Sequence, residues 1–396
     1  MTHNIFIRLR FTYHIFDFTS SAIGPGFLTQ TSLFTEQLLT SFGFVILISV
    51  LLDIGTQLNI WRIIVMSENR AQDLANKVFP GLGYFLASLI AFGGLVFNIG
   101  NIAGCGLGVN VLTGLKPEYG AIISCGVSLC IFWNKNAGRL IDKTAKLFGI
   151  LMIGLTVYIA IVSGPPMGQA IYHTFLPEKI DMLMIVTLVG GTVGGYISFA
   201  GAHRLLDAGI RGKVMLPEVN RSAISGITVT AIMRYVLFLA ALGVVWNGGK
   251  LSGDNPAASV FQNAAGAIGY KFFGIVIWCA AITSVVGASY TTISFWKTLL
   301  HVVEKNEKVM ISSFIILSTI IFILLGNPVR LLVLAGAVNG LILPVALTVM
   351  LIAVRRSSLM KHYHHPAWMQ VAGIIVVILM SFMSLMVIQQ WIERLF

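Results

Sequence analysis

The sequence has few charged residues. Asp, Glu, Lys and Arg make up 10% of its 396 residues, whereas 57% are hydrophobic and the mean hydropathy is +0.88. A water-soluble domain cannot bury so large an apolar fraction, so the composition excludes a soluble protein and indicates an integral protein of a lipid bilayer. The net charge of +11 fits basic loops on one side of a membrane, and we expect no nucleic-acid partner.

Cysteines and the common catalytic motifs are scarce as well. The 4 cysteines lie in apolar segments without the spacing of a metal site, so we expect buried thiols, no bound metal and no cofactor. The sequence contains no HExxH motif, no P-loop and no recognisable pair of a nucleophile and a base. These absences exclude the common enzyme classes, and we expect the protein not to be an enzyme.

Long apolar runs are the main feature that is present. Their lengths of about 20 residues suit α-helices that cross a bilayer. We predict an all-α membrane protein with about eleven spans in one transmembrane domain, residues 1–396. The predicted spans are residues 13–38, 42–66, 82–112, 118–134, 146–164, 182–208, 223–247, 268–298, 309–326, 330–354 and 368–391.

The basic residues are concentrated in every second loop. With the N-terminus in the cytoplasm, most of the 26 Lys and Arg residues fall on the cytoplasmic side, among them Arg62, Arg70, Arg211 and Arg355. The positive-inside rule therefore predicts a multi-pass protein of the plasma (cell inner) membrane, with its N-terminus in the cytoplasm and its C-terminus outside.

Two of the predicted spans contain a break. Gly24-Pro25-Gly26 interrupts the first, and four glycines within residues 190–195 interrupt the sixth. Five spans precede the sixth, so the breaks occupy matching positions in two halves of opposite orientation. This pattern is typical of inverted-repeat transporters, which bind substrate at the broken helices.

The predicted repeats cover residues 13–164 and 182–354, and residues 368–391 form an extra helix. Unwound backbone in hydrocarbon costs several kcal/mol for each unpaired group, so it is tolerated where it lines a cavity. Thr29 and Gln30 follow the first break and are expected to line that cavity. The alternative is that the first break is a simple kink and that the glycines of span six allow close helix packing.

Four segments resemble one family. SAIGPGFLTQT (21–31) resembles the first-helix motif of the NRAMP divalent-metal transporters, and GGTVGGY (190–196) resembles their sixth helix. NIAGCGLGVNVLTG (101–114) and LAGAVNGLILPVAL (334–347) resemble their third and tenth helices. The resemblance spans most of the chain and implies a LeuT-type fold, with helices 1–5 and 6–10 as inverted repeats.

The chain departs from this family at the metal ligands. The family holds its metal with an Asp and an Asn of helix 1 and a Met of helix 6, whose matching positions here are Gly24, Phe27 and Gly194. The Pro and His of the sixth-helix motif are replaced by Gly195 and Tyr196. Glycine and phenylalanine offer no side-chain ligand to a divalent cation, so we predict that the metal site is lost.

Other polar positions of the family have also changed. Two acidic residues of helix 3 that the family associates with proton movement are matched by Asn98 and Asn101, and the Gln of helix 10 by Gly336. The two Asn side chains can line a polar path but cannot carry charge.

The sequence thus predicts an NRAMP-related secondary transporter with a wider, partly apolar site for a small organic solute, amino-acid-like or a carboxylate, coupled to H⁺ or Na⁺. The alternative is a proton symporter for a divalent metal such as Mn²⁺, Fe²⁺ or Mg²⁺ with a rebuilt site. The residues predicted to bind substrate are Gly24, Pro25, Gly26, Phe27, Thr29, Gln30, Gly194, Gly195 and Tyr196.

Acidic and histidine side chains within the spans are candidates for the coupling path, together with Asn98 and Asn101. Asp53 in span two is a candidate proton carrier, or else a structural partner of Arg234 in span seven. His203 and Asp207 are four residues apart on one helix face and could relay a proton, or else cap the cytoplasmic end of span six.

Two further polar stretches allow a functional and a structural interpretation. The hydroxyls of ASYTTIS (288–294) could help to hold sodium, as helix 8 does in LeuT-type symporters, or bond back to their own helix. The histidines of HYHHP (362–366) look like a metal cluster, but a solvated basic loop is the expected interpretation.

Overall fold

A computed structural model of the chain describes residues 24–356, 358–360 and 363–393, with the side chains of residues 135–146 excepted. All regular elements of these residues are helices. The helices are α1 (Pro25–Leu38), α2 (Phe42–Ser67), α3 (Ala71–Val78), α4 (Leu82–Thr113), α5 (Pro117–Trp133), α6 (Lys135–Val162), α7 (Met167–Phe175), α8 (Met182–Thr192), α9 (Ile197–Asp207), α10 (Leu216–Trp246), α11 (Pro256–Lys297), α12 (His301–Lys305), α13 (Glu307–Leu325), α14 (Pro328–Val354) and α15 (Ala367–Glu393). The predicted all-α class is confirmed.

The described residues contain 8 helical segments that are long and apolar enough to cross a membrane, or up to 9 if the bent pair α6–α7 counts as one span. The sequence predicts about eleven. The numbers differ because α1 and α2 form one apolar segment, Pro25–Ser67, and because α5 has only 17 residues. Every predicted span has a helical counterpart, although residues 13–23 of the first lie outside the described part.

Glycine and proline end or bend several helices. The chain bends by 107° between α6 and α7, at the SGPPMG segment (163–168). Gly266 has φ 62° and ψ −154° within α11, a conformation open mainly to glycine. The long part of α11 therefore begins after Gly266, where the predicted span 268–298 begins.

The two helices that flank the second break occupy the centre of the bundle. In the most apolar stretch of Met182–Asp207, 78% of residues are buried, compared with 28% in α13 and 33% in α15. Helix α8 packs against α14 and α2, and α1 packs against α10, α11 and α14. The outer helices expose large apolar side chains, including Ile123, Ile161, Leu324 and Leu385, which suits contact with lipid.

Candidate functional site

The first break lies at the start of α1. Gly24 has an extended conformation and Pro25 is the first helical residue, a position that suits proline because the N–H it lacks would have no helical partner. Pro25 packs on Gly104 of α4 so closely that a Cβ at Gly104 would overlap its ring. No described atom lies within 4 Å of a Cβ built on Gly24, so this break offers open space next to the start of a helix.

The second break, Val193–Tyr196, lies between α8 and α9 and is held by Asn339 of α14. The Gly195 N–H donates to the Asn339 carbonyl oxygen (2.9 Å), and the Tyr196 N–H donates to Asn339 Oδ1 (3.1 Å). Asn339 Nδ2 donates in turn to the carbonyl oxygens of Gly93 and Ala335, both at 3.0 Å. Sequence reasoning missed this residue, although an Asn within the apolar run 334–347 was a signal for it.

The glycines of the second break bring helices close together. A Cβ on Gly194 would overlap the Gly190 carbonyl oxygen, and one on Gly195 would overlap the side chain of Ile342. The extra room expected at these two positions is therefore filled in this conformation, and close packing accounts for both glycines. Their contact with substrate remains a prediction.

Gln30 lies between α8 and α14. Its Nε2 donates to the Leu332 carbonyl oxygen (2.9 Å), and its Oε1 has no hydrogen-bond partner among the described residues. A Cβ on Gly336 would be 2.7 Å from Gln30 Nε2, and one on Gly191 would be 2.8 Å from Gln30 Oε1. The two glycines thus make room for the amide of Gln30. Thr29 Oγ1, also buried, has no described partner either.

The aromatic residues of the predicted site have different roles. The Tyr196 hydroxyl donates to the Ala288 carbonyl oxygen (2.9 Å), and its ring lies 5.7 Å from that of Phe97, centroid to centroid. These contacts tie the second break to α4 and α11. Phe27 instead packs against a cation.

That cation is Arg234 of α10, which reaches both breaks. Its guanidinium carbon lies 4.5 Å from the centroid of the Phe27 ring, and its NH1 donates to Thr192 Oγ1 (3.0 Å) at the end of α8. Arg234 is only 2% exposed, yet its Nε and NH2 have no described hydrogen-bond partner. Sequence reasoning considered Arg234 only as a partner for Asp53, although an Arg within a span is itself a signal of function.

Asp53 of α2 is attracted to Arg234 but does not touch it. The packing of α2 against α10 brings the carboxyl of Asp53 within electrostatic range of the guanidinium of Arg234, but no salt bridge joins the two side chains. Asp53 is 1% exposed and its Oδ1 has no described partner. Gln57, one turn further along α2, has both amide atoms unpartnered among the described residues.

Asn98 and Asn101 belong to a separate, uncharged cluster. Asn98 Nδ2 donates to Ser289 Oγ (3.2 Å) and Ser318 Oγ (3.0 Å), which joins α4 to α11 and α13. Asn98 Oδ1 and Asn101 Nδ2 have no described partner.

The hydroxyls of ASYTTIS mostly bond to their own helix. The Ser289, Thr291 and Ser294 hydroxyls donate to carbonyl oxygens three or four residues earlier, as the structural alternative predicts. Thr292 Oγ1 has no described partner.

His203 and Asp207 do not form a pair. His203 Nε2 accepts a hydrogen bond from the Ala71 N–H (3.1 Å), and its ring stacks 4.4 Å from that of Phe295. Asp207 pairs with Arg70 at 2.7 Å. Both side chains thus fasten α9 to neighbouring segments, in agreement with the capping alternative and not with a direct relay between them.

The HYHHP stretch is not simply a solvated loop, which corrects that expectation. His365 is 7% exposed, and its Nε2 lies 3.0 Å from Asn59 Oδ1. Burial, and secondarily the positive charge of Arg62, lower the pKa of His365 to about 4. His362 lies outside the described residues, and no group of three or more possible metal ligands occurs in the described part of the chain.

Known proteins resemble this chain in sequence and in fold. The profile of the family described as "Natural resistance-associated macrophage protein-like" (Nramp) matches residues 19–390. "Uncharacterized membrane protein YcsG" of Bacillus subtilis is 55% identical over 366 residues, which are 92% of this chain and 91% of that protein.

Two solved structures share the fold at low identity. A mutant of the manganese transporter of Eremococcus coleocola matches with a TM-score of 0.70 and 12% identity, over 95% of this chain and 85% of that one. MhsT in complex with L-phenylalanine matches with a TM-score of 0.61 and 17% identity, over 95% and 97% of the two chains. The fold is that of NRAMP and LeuT-type transporters, and the multi-pass membrane protein described here belongs to the Nramp family.

Proposed function

We propose that this Nramp-family transporter carries a small organic solute with a carboxylate group, not a divalent metal ion, by alternating access. The observation that carries the proposal is the position of Arg234. Its guanidinium lies 4.5 Å from the Phe27 ring and donates to Thr192 beside the second break, and two of its N–H-bearing nitrogens have no partner in the described part of the chain. A planar guanidinium with free donors matches a carboxylate in charge and geometry.

The same feature opposes a metal substrate. A divalent cation at the breaks would lie near a buried guanidinium, and the repulsion is strong where water is scarce. Gly24, Phe27 and Gly194, at the family's metal-ligand positions, offer no side-chain oxygen, nitrogen or sulfur. The manganese transporter shares the fold with this chain, but an identity of 12% is too low to assign its substrate to this chain.

The remaining predicted site residues fit the rest of such a solute. Phe27 provides an aromatic face, and Gln30 Oε1 and Thr29 Oγ1 are unpartnered acceptors among the described residues. The start of α1 at Gly24-Pro25 offers helix N–H groups to the carboxylate. Gly194, Gly195 and Tyr196 would join the site when α9 moves. We infer that the N-terminus is cytoplasmic, the C-terminus external and the coupling ion H⁺ or Na⁺.

The test is binding and uptake by the purified full chain. The probes are Mn²⁺, acetate, lactate, benzoate and neutral amino acids. Each carboxylate is compared with the corresponding amide. We expect saturable binding and proteoliposome uptake of at least one carboxylate, none of its amide and none of Mn²⁺. Mn²⁺ uptake without carboxylate uptake would overturn the proposal and restore the metal-transporter alternative.

Arg234 variants connect the activity to the site. Arg234→Gln should weaken carboxylate binding roughly 100-fold, because two charge-assisted hydrogen bonds are lost, and Arg234→Lys should weaken it less. Arg330→Gln removes an exposed Arg and is the matched control, expected to bind like the wild type. Equal effects of both Gln variants would argue against Arg234 as the anchor.

A further inference from the structure

Asp53 and Arg234 are two buried ionisable groups of opposite charge type that are not joined by a salt bridge. Each is almost fully buried, and each keeps an atom without a hydrogen-bond partner among the described residues: Asp53 Oδ1, and Arg234 Nε and NH2. Their helices α2 and α10 pack against each other, which brings the two side chains within electrostatic range, but no salt bridge joins them. A structural ion pair would be expected to close to hydrogen-bond distance, because contact offsets the cost of removing both ions from water.

Asp53 is also distinctive among the acidic residues. Of the described Asp and Glu residues, it is the one whose side chain is buried. Asn98 and Asn101 of the uncharged cluster cannot take up a proton. A proton that crosses the centre of the bundle on a carboxylate of the described chain must therefore use Asp53.

Arg234 is the charged group that faces Asp53. The elements packed against α2 carry other ionisable groups. Glu218, in the first turn of α10, has a buried Oε2 without a described partner, whereas four other groups have partners elsewhere. Glu36 Oε1 accepts from the Leu251 N–H, His173 Nδ1 lies 2.6 Å from Thr40 Oγ1, His203 bonds to Ala71, and His365 bonds to Asn59. The charge balance at Asp53 thus depends on Arg234 and on whatever binds to Arg234.

A substrate carboxylate changes that balance. In the proposed cycle, Asp53 is ionised opposite Arg234 before binding. After binding, two carboxylates would share one guanidinium in a buried site. One of the two is then favoured to be protonated. The substrate makes direct hydrogen bonds to the guanidinium and Asp53 does not, so the proton goes to Asp53.

We propose that Asp53 is a counter-ion that the substrate carboxylate replaces at Arg234, and that each carboxylate bound is accompanied by one proton taken up on Asp53. The step rests on the proposed carboxylate substrate. One H⁺ leaves water on the loading side and binds the Asp53 carboxylate, and the same proton returns to water on the other side after the substrate leaves Arg234. For a monoanionic substrate such as acetate, one anion and one proton cross together, so transport is electroneutral and needs no sodium. A zwitterionic amino acid would cross with one net positive charge.

Titration calorimetry in two buffers of different ionisation enthalpy tests the proton count. The titrants are acetate, lactate, benzoate and neutral amino acids, added to the full-length wild type and to Asp53→Asn at pH 7.5. For each titrant that binds, we expect about one proton taken up per ligand by the wild type and none by Asp53→Asn. Asp53→Asn should bind roughly tenfold more tightly, because the competing carboxylate is gone. Asp254→Asn removes an exposed acid and should behave like the wild type.

The outcomes separate the two proposals. Carboxylate binding without proton uptake, or with equal uptake by Asp53→Asn, overturns the counter-ion inference and leaves the proposed substrate class intact. No carboxylate binding by the wild type or by Asp53→Asn overturns both. In proteoliposomes, uptake of a monoanion such as acetate that is driven by a pH gradient and unaffected by membrane potential or sodium supports the inference. A current that accompanies uptake of a monoanion contradicts it.

Discussion

Polar side chains are hydrogen-bonded differently at the centre of the bundle and at the end that carries Arg62, Arg70 and His365. At the end, Arg62 NH1 donates to Asn220 Oδ1 (2.9 Å) and its Nε to the Tyr363 hydroxyl (3.0 Å), and Arg70 pairs with Asp207. At the centre, six buried side chains of α1, α2, α8 and α10 keep an unpartnered polar atom among the described residues. These side chains are Thr29, Gln30, Asp53, Gln57, Thr187 and Arg234.

This contrast shows which region stabilises the fold and which awaits a ligand. A buried polar atom without a partner costs about 1–3 kcal/mol, so a group of them is where water, an ion or a substrate can gain hydrogen bonds. The paired end fastens helices together, although His365 Nδ1 and His203 Nδ1 also have no partner among the described residues. Mutations at the centre should therefore change transport, and mutations at the end should change stability.

The largest expected effect is the loss of uptake on replacing Arg234, compared with a loss of stability on replacing Arg62. The double variant Asp53→Asn/Arg234→Met should lose at least roughly 100-fold in carboxylate uptake, because the anchor is gone. Its thermal stability should stay within about 1 kcal/mol of wild type, since replacing both buried charges is often neutral. Arg62→Met should lose about 1–3 kcal/mol of stability, because Tyr363 and Asn220 lose their partner.

Thermal unfolding in detergent and uptake per folded molecule measure the two effects separately. If Arg62→Met lost uptake while remaining stable, the distinction between a functional centre and a structural end would be wrong.

Asn339 is a bonded group of the centre: its amide holds the second break. Asn339→Ala should cost about 2–4 kcal/mol of stability, because the Tyr196 N–H and the Gly93 carbonyl lose their partners. Asn263, exposed on α11, gives the matched control Asn263→Ala, for which we expect no change. A stable Asn339→Ala would mean that other groups satisfy the second break.

The stability of the folded protein should depend on pH through His365. Its pKa of about 4 in the folded protein lies below the value of about 6.5 in an unfolded chain, so the unfolded state binds the proton first. The stability that His365 contributes is complete above pH 6.5 and is lost as the pH falls towards 4, by roughly 1–3 kcal/mol. His365→Gln should flatten the curve of thermal stability against pH between these values, whereas His364→Gln, at an exposed position, should leave it unchanged.

The smallest effect is expected at the Arg70–Asp207 pair. Its side chains are 20% and 39% exposed, so Asp207→Asn should cost no more than about 1 kcal/mol, and less in high salt. Unfolding at two ionic strengths measures this. A loss of several kcal/mol would show that the pair holds α9 in place much more strongly than its exposure suggests.

The overall fold could be predicted because its signals are local in the sequence. Long apolar runs specify membrane helices, and Gly24-Pro25-Gly26 and Gly194-Gly195 mark where helices stop, since glycine and proline act on the backbone where they stand. The loss of metal ligands was equally visible, because ligand chemistry depends on residue type. The solvated-loop expectation failed at His365, since burial depends on which helix packs over a residue.

The sequence by itself determined that this protein is a helical membrane protein of the Nramp family, with a break in its sixth predicted span. It also predicted a break in the first span and the loss of the family's side-chain metal ligands. Only the tertiary structure decided what surrounds the breaks. Arg234 meets Phe27 and Thr192, and Asn339 binds Gly195 and Tyr196, across sequence separations of up to about two hundred residues. No local pattern encodes such contacts, because they exist only when distant helices pack side by side.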